Sequence, residues 1–297
     1  MSKAKVYFTK EISPAKVLEM YKVLGVELPG KVAVKVHSGE KGNQNFLGPE
    51  YMKPTVDYVK GTIIEANTAY PGARRHTADH LKLLKEHGWS EAFNTEILDA
   101  EGPDLELPIT KFKQINKHLV GKGLGNYDSL LVLSHFKGHG MGGFGGALKQ
   151  LSIGCGSSEG KAWIHSAGKT TDPDNHFKLN TEQKIFCEAM GDAATGIVEH
   201  FGPGKLAFVN IMKNLSVDCD CVGGGQAEAP CMADIGILSS LDPVAIDQAC
   251  VDLVYGSDDP GRDHMIERIE SRLGIRTIEA AAEDGAGSRE YELICID

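Results

Sequence analysis

Leu130-Leu131-Val132-Leu133-Ser134-His135-Phe136-Lys137-Gly138-His139-Gly140, residues 130–140, passes from an apolar run straight into polar side chains and glycine. A short apolar run with so abrupt an end reads as a buried strand. Similar runs recur at Lys5–Thr9, Lys31–His37, Thr62–Ala66, Leu206–Ile211, Ile235–Ser239 and Tyr291–Ile296. Helical patterns lie between them. Ser13-Pro14 opens one that carries Val17, Leu18, Tyr21 and Leu24; Thr77–His87 is the core of another, and Leu179–Phe201 forms a third. Asp242 is a natural N-cap with Pro243 at the first helical position, ahead of an apolar stripe through Val244, Ile246, Ala249, Cys250, Leu253 and Val254. This alternation predicts an α/β fold: a mostly parallel sheet with flanking helices and a ligand site at the carboxyl ends of the strands. One domain over residues 1–297 is expected, or two intimately joined lobes, 1–125 and 126–297. The polar, turn-rich segments Ala100–Leu107 and Ser166–Asn180 read as connections.

Composition narrows the function. A formal net charge of −10 argues against broad nucleic-acid binding, which needs a positive surface to release counterions. The apolar runs are too short to span a bilayer, so no membrane partner is expected. Met1–Lys5 leads into Val6-Tyr7-Phe8-Thr9 without the apolar core of a secretory signal, which predicts a cytoplasmic protein. In that compartment seven cysteines, an odd number, read as core residues, metal ligands or redox groups rather than as a disulfide framework.

The unusual polar residues follow the strands: Ser38–Asn43, Asn67-Thr68, His135–Gly140, Lys213-Asn214 and Ser239-Ser240. Six glycines at 138, 140, 142, 143, 145 and 146 let backbone N–H groups approach an anion closely at the start of a helix. Lys137, Lys149 and Lys161 add charge there. The plainer reading is a glycine-packed turn that brings a helix against the sheet. The sequence is neither a Walker loop nor a dinucleotide fingerprint. In Asp218-Cys219-Asp220-Cys221 the two thiols share one side of an extended chain and suit a single zinc or iron ion. Further ligands come from Cys231, Cys155, His135, His139 or His165. Redox thiols, or two cysteines sharing a buried turn, are the other readings. Cys187, Cys250 and Cys295 read as core, and His76 and His80 as surface residues on a helix. Glu40 and Glu65, at strand ends, read as an acid or a base, or as carboxylates that cap or solvate a loop. Lys35, Lys41, Arg74, Arg75, Lys137, Lys149, Lys161 and Lys213 gather near the same loops. They form a funnel for a small anion, a carboxylate or phosphate, unless acidic neighbours pair with them.

Val36-His37-Ser38-Gly39-Glu40 with Gly42-Asn43, Glu65–Tyr70, Ser134–Lys149, Asp218–Cys221 and Pro230–Gln248 resemble, in order and spacing, a family of uncharacterised iron–sulfur-centre proteins, domain of unknown function 362. The resemblance implies a metal or redox role and carries over His37, Glu40, Asn67, His135, His139, Cys155, His165, Cys219, Cys221 and Asp234 as site positions. Ser166–Asn180 lacks the cysteines of the ferredoxin-like insertion that many such members carry, so a ferredoxin-type cluster pair is not expected. The assignment is then His37, Glu40 and His165 as catalytic groups. Asn67, Lys137, Gly142, Gly143, Gly145, Gly146 and Lys149 hold the ligand. His135, His139, Cys155, Cys219, Cys221 and Asp234 hold a divalent metal, zinc or iron. The expected function is a metal-dependent enzyme or a redox protein, with a redox partner protein, acting on a small anion. The alternative is a non-catalytic anion-binding protein whose cysteines are structural.

Overall fold

A computed structural model describes residues 3–102 and 104–297. Met1, Ser2 and Pro103, which belong to the N-terminal and Ala100–Leu107 readings above, lie outside the described residues. The strands are β1 Ala4–Thr9, β2 Val32–Lys35, β3 Thr62–Glu65, β4 Thr95–Ile97, β5 Leu105–Pro108, β6 Lys117–Val120, β7 Ser129–His135, β8 Lys137–His139, β9 Gly143–Gly145, β10 Leu206–Met212, β11 Gly236–Ser240 and β12 Tyr291–Cys295. Eight of them form one sheet in the order β12-β1-β11-β10-β7-β2-β3-β4, while β5-β6 and β8-β9 are separate antiparallel ribbons. Only β11 runs against its neighbours, pairing antiparallel with both β1 and β10. The rest of the sheet is parallel, as the strand–helix alternation predicts.

Every residue of β2, β7 and β10 is buried, the signature of parallel strands covered on both faces. Side chains alternate between two cores. Leu130, Val132 and Phe208 face one cluster, and Leu131, Leu133, Val209 and Ile211 face the other. Burial of each such side chain contributes about 2 kcal/mol. Helices Pro14–Lys22, Pro49–Val59 and Thr77–Glu86 cover the second cluster. Gln183–Phe201, Pro243–Tyr255, Arg262–Ser271 and Ile275–Asp284 cover the first. Their starts are those the sequence marks: the Ser13 side chain accepts from the Lys16 N–H, and Asp242 accepts from Val244 and Ala245. β4, β5, β6, β8 and β9 are additions to the sequence reading, all three or four residues long. Because β2, β3, β7 and β10 run parallel, the loops leaving them emerge at one edge. Among the described residues no helix is long and apolar enough to cross a membrane.

Candidate metal centre

The glycine-rich stretch folds first as a hairpin. β8 pairs with β9 so that His139 stands opposite Gly143. Gly143 has φ +79°, and a Cβ there would lie 2.9 Å from the Ile269 carbonyl, so only glycine closes this turn. Within it the Met141 and Gly142 N–H groups donate to His139 Nδ1, at 3.2 and 2.8 Å. That fixes the ring and leaves the proton of a neutral imidazole on Nε2, which lies 3.9 Å from Cys221 Sγ. Donor atoms of His139, Cys219 and Cys221 all lie within 4.8 Å of one another.

His37, in the loop after β2, repeats the arrangement. Its Nδ1 accepts from the Gly39 N–H at 3.1 Å, and its Nε2 lies 4.0 Å from Cys219 Sγ. Burial, then the Arg74 charge, drive its pKa down to about 4 despite the nearby thiol and carboxylate. Burial alone would raise the Cys219 thiol, but a hydrogen bond from Cys221 and the ammonium groups of Lys149 and Lys137 hold it well below the usual thiol range. Cys221, hydrogen-bonded to Cys219 and buried beside it, is pushed well above that range. Cys219 is therefore the more acidic thiol of the pair, with Lys149 Nζ 3.9 Å from its Sγ.

Asp220, between the two cysteines, anchors their loop. Its carboxylate meets His135 Nδ1 at 2.9 Å and Lys137 Nζ at 2.7 Å, and its carbonyl accepts from the Glu40 N–H. His135 Nε2 lies 2.6 Å from the Lys213 carbonyl, so both of its ring nitrogens face acceptors and neither is left for a metal. Lys137 is spent on the same ion pair. Glu65 at the end of β3 binds Lys35 Nζ at 2.5 Å and accepts from the Ser38 N–H and hydroxyl. Burial would raise this carboxyl, but Lys35, His37 and Arg74 outweigh it and hold it below the carboxylate range. Glu40 accepts from the Lys41 and Ala73 N–H groups and from Arg74 Nε, ordering the loop whose Tyr70 hydroxyl accepts from Arg74 Nη2.

These groups border a cavity of about 180 Å³, lined by Lys35, His37, Glu65, Tyr70, Arg74, His139, Lys149, Lys161, His165 and Cys221 together with apolar side chains. Most of the expected positive funnel is neutralised. Lys35, Lys41, Arg74, Arg75, Lys137 and Lys213 each pair with a carboxylate. Among the described residues Lys149 and Lys161 have no such partner. His165 stacks on Phe186 with centroids 4.7 Å apart, and its buried Nδ1 has no hydrogen-bond partner.

Several sequence-designated residues lie elsewhere. Gly142, Gly143, Gly145 and Gly146 do not line the cavity. The helix start that they lead into does hold an anion, but it is the protein's own: Asp247 accepts from the Ala147 and Leu148 N–H groups, at 2.8 and 2.9 Å, and a Cβ on Gly146 would collide with it. Asn67 is engaged by Thr77 and His80, away from the cavity lining. Cys155 is fully buried outside the His139–Cys219–Cys221 group, its thiol pushed up to about 11 by burial. Asp234 is exposed and pairs with Lys213, and Cys231 donates to the Leu215 carbonyl. Two bland readings also change: Cys295 is exposed rather than core, and His80 is fully buried while His76 is the surface residue. Asp220 and Tyr70 are site residues that sequence reasoning did not single out. Asp220 has no local signal, since its partners come from another strand end.

A family model described as a domain of unknown function (DUF362) matches residues 32–252. No curated protein matches the chain. Among solved structures, the lactate racemase apoprotein from Thermoanaerobacterium thermosaccharolyticum is similar at 14% identity and TM-score 0.42, over 69% of this chain and 50% of that one. A crystal structure of a protein from Thermotoga maritima is similar at 11% identity and TM-score 0.41, over 92% of this chain and 60% of that one. The chain thus spans half to three-fifths of the length of these two structures, and likenesses this distant have no bearing on its chemistry.

Proposed function

The chain belongs to the DUF362 family, and from that premise we propose that it is a metal-dependent enzyme in which His139, Cys219 and Cys221 hold one zinc or iron ion beside a pocket for a small anion. The observation that carries this reading is the convergence of three soft and borderline donors within 4.8 Å at the rim of a cavity that also holds Lys149 and Lys161. Three protein ligands leave a coordination position open, and two thiolates fall short of the four that a ferredoxin-type cluster takes. A metal here would polarise the bound anion as a Lewis acid or exchange electrons with it. The chain's own groups do the rest. Lys149 and Lys161 neutralise the anion, the Glu40–Arg74–Tyr70 network fixes one wall, and His37 holds an Nε2–H at the cavity next to Cys219.

The test is anaerobic purification without a metal-binding tag, followed by elemental analysis, acid-labile sulfide assay and a visible spectrum. About one zinc or iron per chain, no sulfide, and loss of the metal in Cys219→Ala/Cys221→Ala is the expected result. Protein without metal or chromophore would overturn the reading. One observation supports a second reading: with Met141 and Gly142 donating to Nδ1, His139 keeps a hydrogen on Nε2 that faces the Cys221 sulfur, and a metal at Nε2 would have to displace that hydrogen. On this reading Cys219 attacks the disulfide of a redox partner protein, releasing one partner thiolate. Cys221, its proton passing to that released thiolate, then attacks the Cys219 sulfur, closing a Cys219–Cys221 disulfide and releasing the other partner thiolate. Metal-free protein whose two thiols disappear on treatment with a small disulfide would favour it.

A further inference from the structure

We infer that the occupant of the cavity is a small organic acid with an apolar body, rather than inorganic phosphate or a hydroxylated anion. This rests on the cavity being a ligand site, but not on a metal being present. Lys161 is 6% exposed, and among the described residues its ammonium donates only to the Gly156 carbonyl, at 2.5 Å. A buried ammonium without a carboxylate is costly, so an anion completes it. Among the described residues Lys149 reaches only the Cys219 sulfur, and His165 Nδ1 stands buried without a partner. The Arg74 guanidinium is already taken by Glu40 and Tyr70, which leaves ammonium groups to meet the ligand's charge.

The remaining wall is mostly hydrocarbon, from Ala66, Ala69, Ile153, Val222, Met141 and Phe177, with Thr68 and Gln150 as its polar members. Met141 and Phe177 are 36% and 46% exposed and so stand at the mouth, while Lys161 lies within. A hydroxylated anion would lose water against these side chains with little in return, because the Thr68 hydroxyl already donates to the Tyr70 carbonyl. An acid whose carboxylate enters toward Lys161, with an alkyl chain or single ring lying on Met141 and Phe177, satisfies both ends. A cavity of about 180 Å³ limits that body to a few carbons or one ring.

Calorimetric titration of the purified chain with acetate, butanoate, hexanoate, benzoate and inorganic phosphate tests this. Affinity should rise about fourfold per methylene along the series, with benzoate at least about tenfold tighter than acetate and no detectable phosphate binding. Lys161→Met should weaken every acid more than about tenfold. Phe177→Ala, at an exposed position, should flatten the chain-length dependence, weakening hexanoate more than acetate. Acetate or phosphate binding as tightly as hexanoate, no binding of any acid, or an unchanged series in either variant would overturn the inference. Metal analysis of the titrated wild-type protein separates the two claims. Wild-type protein purified without metal that binds the acids sinks the metal reading alone, and a metal-loaded wild-type chain that binds no acid sinks this one alone.

Discussion

Lys161 shows how a single side chain can set the working range of the pocket. Burial lowers its pKa to about 8 against the pull of Asp99 and Glu65, with Lys35 and Arg74 pushing the same way as burial. Only the protonated form pairs with an anion. Binding of benzoate should therefore be level below about pH 8 and weaken as pH rises through that value, whereas Lys161→Arg, charged throughout, should flatten the profile. Titrations between pH 6 and 9.5 check this, and a flat wild-type profile would refute it. The thiols of the site were legible at this scale because Cys-x-Cys is a local pattern, and so was His139, which stands at a strand end. Asp220 was not. Its partners His135 and Lys137 are 85 and 83 residues away in sequence, and only the parallel pairing of β7 with β10 brings those loops together.

At the scale of elements, the helical segment from Ala147 to Gly154 carries Lys149 and the cavity-lining Gln150 and Ile153, and it closes with a wide π-helical turn over Gln150–Gly154. Asp247, from the Pro243–Tyr255 helix, holds its first two N–H groups and also accepts from the Asn210 side chain. Asp247→Ala would strand three buried donors and should destabilise the protein by about 3 kcal/mol or more, read as a lower denaturant midpoint at unchanged slope. An unmoved midpoint would mean that the segment is held by packing alone. The glycine loop was recognisable in sequence, but what it cradles was not, because the filling carboxylate comes from 100 residues downstream. Long buried strands such as β7 and β10 announce themselves by continuous apolar runs. β4 and the ribbons β5-β6 and β8-β9 are too short, and β8-β9 too rich in glycine, to leave any periodic trace.

For the molecule as a whole, the charge network at the site predicts acid sensitivity. Glu65 and Asp220 are held below their ordinary values, Glu65 by Lys35, His37 and Arg74 and Asp220 by His135 and Lys137, each against the opposing effect of burial. Their stabilisation is fully present above the unfolded carboxylate range and is lost as pH falls below about 4.5 toward their depressed native values. Asp247 works in the opposite direction. Burial, only partly offset by its three hydrogen bonds, raises its pKa to about 6, so its contribution weakens as pH rises from about 4 to 6. Denaturant titrations from pH 3 to 8 should show a steep loss of stability below pH 4.5, and a level profile there would contradict the network as described.

The sheet order has a consequence for biosynthesis. β1 lies between β11 and β12, and both of these come from the last quarter of the chain. On a translating ribosome β1 is made before either strand that it pairs with, and its backbone donors and acceptors wait unpaired while most of the sheet assembles. A nascent chain of this protein thus exposes an unsatisfied strand edge until β11 and β12 have emerged, the interval in which a chaperone or a wrong partner has its opening.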